Sequence, residues 1–318
     1  MTSASVSALR RPRVDSDTGL AQQIADLVSG FTIETTPGTA AKVASYREHL
    51  VPGTTVAVTF LPGSDFADTV RTARRLKDEG FRPAPHLAAR SIPGRWHLEE
   101  WLKRLQDEAG VDEVVALAGS VDTPLGEFDS SMQLLETGLL DKYGIARIGV
   151  AGHPEGSPDI PQRDVDAALA WKNAFAERTD AEVYIATQFV FEAQPVIDWD
   201  RRIRAAGNRL PIHIGVPGLA TLKTLINHAR ACGVGPSMRF LTRQAKNVTK
   251  LMTLSTPDRL IADLARYAAE DPRCGIARVH VYPLGGLRKS AAWANAVVDG
   301  DFTLKADGKG FTVNREIA

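Results

Sequence analysis

The sequence is poor in the residues that would build a stapled, metal-bound or membrane-bound protein. It has two cysteines in 318 residues, Cys232 and Cys274, and no CxxC pair. That excludes a disulfide framework and a cysteine-based zinc site, and it fits a reducing cytoplasm. No apolar run approaches the ~20 residues that span a bilayer. Neither charge sign is in excess, with 38 Lys and Arg against 38 Asp and Glu. A nucleic-acid or other polyanion surface is therefore not expected. There is no GxxxxGK[ST] phosphate loop, no GxGxxG turn after a strand and no GxSxG nucleophile elbow. Arg10, Arg11 and Arg13 near the start are not followed by an apolar segment, so these residues do not read as a signal peptide. A flexible tail is expected over residues 1–25 and one catalytic domain over 26–318.

What is present is alternation. Short β-rich runs fall near Phe31–Ile33, Thr55–Val58, Ala84–Leu87, Glu113–Leu117, Ala146–Val150, Glu182–Ala186, Pro211–Ile214 and Arg278–Val281. Amphipathic stretches such as "SDFADTVRTARRLKDEG", "WHLEEWLKRLQDEAG" and "LATLKTLINHARACG" separate them. Continuous apolar strands alternating with helices imply a parallel sheet covered by helices. Eight such repeats, with no Pro/Gly/Ser-rich linker between them, predict a single α/β domain, a (β/α)8 TIM barrel. Extra helices are expected before the last strand, in "MRFLTRQAKNVTKLMTL" and "TPDRLIADLARYAAE".

In such a barrel the chemistry sits at the C-terminal ends of the strands. Those ends carry Glu34, Thr59, His86, Gly119 with Ser120, His153 with Glu155, Gln188, Gly215 and Tyr282. Any one of them could be an ordinary first loop residue. Closure would bring all of them to one rim, and Glu34 would be a rim carboxylate available for acid–base work. It follows an apolar strand, a setting that raises a carboxyl pKa. The strand histidines His86, His153, His213 and His280 lack the several strand-end carboxylates that barrel metal sites use, so no metal is expected. The glycine-rich "PLGGLRKS" is explained equally by a phosphate contact and by turn chemistry.

Seven strand-end segments, "FTIETTP", "VAVTFLPG", "APHLAAR", "VVALAGS", "GVAGHPEG", "ATQFVFE" and "VHVYPLGG", occur in an order that resembles the methylenetetrahydrofolate reductase family. The resemblance covers the chain from about Gly30 to Asn295. It implies reduction of 5,10-methylenetetrahydrofolate to 5-methyltetrahydrofolate in one-carbon metabolism and methionine biosynthesis. It also implies Glu34 as the catalytic acid, with Gln188, Ser120, Thr187 and Tyr282 on the folate. Thr59, His86, His153, Glu155 and Lys172 are implied as cofactor contacts.

Departures from the family pattern bear on the cofactor. Ala118 and Ser120 stand in "ALAGS" where the family has an arginine and an aspartate, and Phe128 stands for a tyrosine that packs on flavin. Ser157 stands for a histidine. These losses favour the short members that pass hydride from NADH or NADPH directly to folate, without FAD. The alternatives are an FAD-dependent version of the same reaction and a folate-binding barrel or tetrahydrofolate methyltransferase that does not reduce. A homo-oligomer is compatible with the sequence.

Overall fold

In the computed structural model the described residues are 19–231 and 254–317. Eight parallel strands close into a barrel: β1 Thr32–Thr35, β2 Thr55–Val58, β3 Arg82–Ala88, β4 Glu113–Leu117, β5 Arg147–Gly152, β6 Glu182–Phe189, β7 Ile212–Pro217 and β8 Ile276–Tyr282. Each strand pairs with its sequence neighbours, and β8 closes on β1 through Thr32 opposite His280 and Ile33 opposite Val281. Strand residues alternate between two environments. One set, including Ile33, Val56, Leu87, Val114, Ile148, Ile185, Ile214 and Val281, is fully buried in the layer between sheet and helices. The other set points into the barrel lumen. It is unusually polar for a barrel interior, with Thr32, Glu34, His86, Glu113, Tyr184, His213 and His280 among its members.

The helices follow the expected alternation. Those longer than one turn are α1 Leu20–Val28, α2 Phe66–Asp78, α3 Arg95–Ala109, α4 Ser131–Glu136, α5 Gln162–Ala176, α6 Ala193–Ala205, α7 Leu222–Ala231, α8 Asp258–Glu270 and α9 Leu287–Val298. Local signals set several ends. Asp65 caps α2 by accepting from Ala67 N–H, and Ser130 with Gln133 forms a capping box on α4. Gly110 ends α3 in the left-handed conformation. No helix among the described residues is long and apolar enough to cross a membrane.

Two expectations change. The proposed tail boundary at residue 25 falls inside α1, whose Ile24, Leu27 and Val28 are fully buried and which packs on α8 and α9. Residues 20–25 therefore belong to the domain, because their apolar face closes one side of the barrel's helical layer. Of the two extra helices before β8, "TPDRLIADLARYAAE" forms α8, while "MRFLTRQAKNVTKLMTL" lies essentially outside the described residues. A feature not anticipated is the antiparallel pair Phe302–Leu304 and Phe311–Val313, which seats Phe311 on Trp293 of α9.

Candidate active site

Glu34 occupies the C-terminal end of β1 with its side chain in the lumen, 14% exposed. Three side chains converge on its carboxylate. Thr59, just past β2, donates through Oγ1 to Oε2 at 3.1 Å. His86 of β3 places Nε2 3.3 Å from Oε1, and His280 of β8 places Nε2 3.5 Å from the same oxygen. Behind His280, its Nδ1 meets Thr32 Oγ1 at 2.7 Å. Thr32 lies two residues before Glu34 on β1, so strand parity puts both on the lumen face, and the β1–β8 register sets Thr32 opposite His280.

This cage reverses the expected titration of Glu34. Burial does push the carboxyl upward. Hydrogen bonds from His280 and His86, together with their positive charge, outweigh burial and hold it well below the usual carboxylate range. An apolar strand alone would have raised it, but the strand brings the carboxylate to two imidazoles. Thr59 and His86, expected at a cofactor, are partners of Glu34 in this structure.

A second cluster lies across the barrel, where β5 and β6 face β1. His153 follows β5 directly. Lys172, on α5, is 6% exposed and donates from Nζ to the Ala151 carbonyl at 2.9 Å. Burial, with no carboxylate to offset it, lowers the Lys172 pKa to about 8. Burial and then the Lys172 charge lower the His153 pKa, and a hydrogen bond with Gln188 opposes them. His153 Nδ1 is buried without a hydrogen-bond partner. A buried ammonium next to an unpaired imidazole nitrogen is a donor set that fits an anionic group such as a dinucleotide pyrophosphate.

The remaining expected residues divide. Tyr282 closes the rim from β8, donating its hydroxyl to the Thr187 carbonyl at 2.8 Å with its ring edge-on to His280. Glu155 sits in the turn that the Gly156 N–H to His153 carbonyl bond closes. Ser120 is exposed on the loop after β4. Thr187, expected on the folate, has a structural task within the sheet. It is 1% exposed, and its hydroxyl donates to the Gln188 carbonyl and accepts from Gly215 N–H, both at 2.8 Å. These bonds splice β6 to β7 where their register shifts between Ala186 and Phe189, and that splice sets the position of Gln188. Phe128 is 4% exposed and belongs to the hydrophobic core. In "PLGGLRKS", a Cβ on Gly285 would lie 1.9 Å from the Leu219 carbonyl oxygen, so close backbone approach explains that glycine.

Sequence reasoning missed Thr32 and His280 as members of the site. The available signal was parity: His280 stands two residues before Tyr282 in "VHVY", and Thr32 two before Glu34.

Comparison with known proteins bears on the same rim. The family model described as methylenetetrahydrofolate reductase matches residues 39–247. The chain belongs to this family. Methylenetetrahydrofolate reductase 2 of Saccharomyces cerevisiae is 27% identical over 206 residues, which are 62% of this chain and 32% of that protein. Methylenetetrahydrofolate reductase 1 of Schizosaccharomyces pombe is 30% identical over 150 residues, 44% of this chain and 23% of that protein. The match thus spans a third or less of the length of these relatives. A solved structure from Clostridium thermocellum, described as binding two copies of 5-methyl-5,6,7,8-tetrahydrofolic acid, shares the fold. Its TM-score is 0.52 at 13% identity, covering 88% of this chain and 98% of that one.

Proposed function

We propose that this chain reduces 5,10-methylenetetrahydrofolate to 5-methyltetrahydrofolate with hydride taken directly from NADH or NADPH. The observation that carries the reading is the Glu34 carboxylate at the C-terminal end of the lumen, surrounded by proton-bearing groups in a barrel of this family. Opening the folate ring requires a proton at the departing N10 and leaves a cation at N5. Glu34 and its imidazole partners can deliver the proton, and the ionised carboxylate then stabilises the cation.

Gln188 has donor and acceptor capacity for the pterin edge, and Tyr282 offers a ring beside it. Lys172 and His153 hold the pyrophosphate of the hydride donor. Direct transfer is supported by Ser120 and Ala118 at the family's charged positions and by Phe128, whose ring is committed to the core. Hydride transfer needs close approach of donor and acceptor carbons. A mouth without a resident isoalloxazine would let nicotinamide and pterin stack face to face.

The test is product formation from methylenetetrahydrofolate with NADH and with NADPH, with and without added FAD. Direct transfer gives 5-methyltetrahydrofolate without FAD and intersecting double-reciprocal lines. About one FAD retained per chain, with parallel lines, would replace direct transfer by a flavin relay. No product under any condition would overturn the reductase reading.

A further inference from the structure

Glu34 is placed as an acid, yet its surroundings favour its anion. The proton that the reaction consumes must rest on another group, and the geometry identifies one. His280 is 7% exposed and touches Glu34 through Nε2 at 3.5 Å, while its far nitrogen is tied to Thr32 Oγ1 at 2.7 Å. Among the described residues His86, the other imidazole on the carboxylate, has no such tether. The hydrogen bond made by one ring nitrogen decides what the other can carry. When His280 is protonated both ring nitrogens donate, Nδ1–H to the threonine hydroxyl and Nε2–H towards Glu34, so the proton free to leave is the one on Nε2.

We propose that His280 stores the proton for the reaction and passes it through Glu34 to folate N10, with Thr32 fixing the ring orientation and tautomer. This deepens the reductase reading and rests on it. The step balances. The imidazolium Nε2–H proton moves to Glu34, and the carboxylic acid protonates N10 as the methylene C–N10 bond breaks. The C–H bond of the dihydronicotinamide then breaks, and its electron pair forms the new C–H bond on the cationic methylene carbon. Nicotinamide is oxidised, the one-carbon unit is reduced, and one proton from water restores His280. His280 is a positioning and proton-holding residue, since it acts through Glu34.

The other groups that face His280 are few. Glu34 lies on β1, His86 on β3 and Tyr282 on β8 itself, with ring centroids 4.8 Å apart. One layer below, His213 of β7 pairs in register with Arg278 of β8 and feels the His280 charge. Outside the wall, Asp26 of α1 bonds Gln22. Among the described residues Glu34 is thus the one carboxylate bonded to His280 in the lumen.

The decisive measurement is the pH profile of kcat in His280→Gln. An imidazole keeps its proton to about 2 pH units above a carboxyl. The variant is expected to lose rate roughly 10- to 100-fold at neutral pH, a part of what general acid catalysis is worth. Its alkaline fall-off should move down by about 1 pH unit or more, with the folate KM within about threefold of wild type. Thr32→Val should give a smaller shift in the same direction, and Thr32→Ser should restore the wild-type profile. A loss of rate that is equal at every pH, or an unmoved alkaline limb in both His280→Gln and Thr32→Val, overturns the proposal. A separate readout needs no turnover. The His280 imidazole resonance, identified by its absence in His280→Gln, should titrate at lower pH in Glu34→Gln than in wild type. An unmoved midpoint overturns the relay alone, whereas a wild-type chain with an intact midpoint shift but no turnover overturns the reductase reading.

Discussion

The two ends of the barrel lumen use similar residues for different ends. At the N-terminal end, Glu113 is fully buried and is bonded by Tyr184 Oη at 2.9 Å and Arg147 Nη1 at 3.3 Å. Tyr184 stacks on His213 with ring centroids 3.9 Å apart, and Gly149 leaves the space that the tyrosine ring fills. At the C-terminal end, Glu34 is held by two histidines and a threonine. Arginine keeps its proton at any working pH, so the Glu113 pair is locked. Histidine exchanges its proton near neutrality, so the Glu34 cage can change state. A buried carboxylate is therefore not a functional signal by itself. The proton affinity of its partners separates a plug from a reaction centre.

The strongest contrast is in turnover. Glu34→Gln should lower kcat about 10² to 10⁴-fold, and it should also lower the urea midpoint at neutral pH, because the fold holds this carboxyl below its usual range and so draws stability from its anion. A variant that turns over within a few-fold of wild type would remove Glu34 as the acid. Glu113→Ala should cost stability and spare turnover. Breaking a buried pair by removing one partner costs about 3–5 kcal/mol, and Arg147 already has Nε and Nη2 without hydrogen bonds. Urea denaturation reads the loss, and kcat per folded molecule should stay within a few-fold.

Lys172 offers a subtler break. Its pKa falls from 10.5 in the unfolded chain to about 8 in the fold, so between these values the unfolded state binds more protons. Stability should rise with pH across that window and carry the full cost of the buried charge below it. Lys172→Met should stabilise the ligand-free protein at pH 7 by roughly 3 kcal/mol and flatten the rise between pH 8 and 10. The same variant should weaken NADH binding. Loss of stability instead would mean that the ammonium is held by the fold rather than poised for an anion. The smallest effect is expected for Gln188→Ala, a folate-binding loss of about 1–3 kcal/mol, read by equilibrium titration. Unchanged affinity and unchanged turnover would exclude Gln188 from the pterin edge.

Much of this was legible in order and period. The β2 and β4 ranges match the expected runs, and the other strands extend a few residues further, because ladder pairing carries strands such as β3 and β7 through prolines Pro83, Pro85 and Pro217. Glu34, Gln188 and Lys172 could be singled out from their positions or from the resemblance. His280 was visible only as one histidine in a strand, 246 residues from Glu34, and its importance depends on which strand closes the barrel.

The sequence by itself determined the alternation of strands and helices and the carboxylate at the first strand end, since these follow from local period and composition. Tertiary structure decided the surroundings of the Glu34 carboxylate, the bonds that Thr59 and His86 make to it, and the splice made by Thr187. These depend on distances between strands far apart in the chain. Electrostatic and hydrogen-bond energies fall so steeply with such distances that only closure of β8 on β1 could fix them.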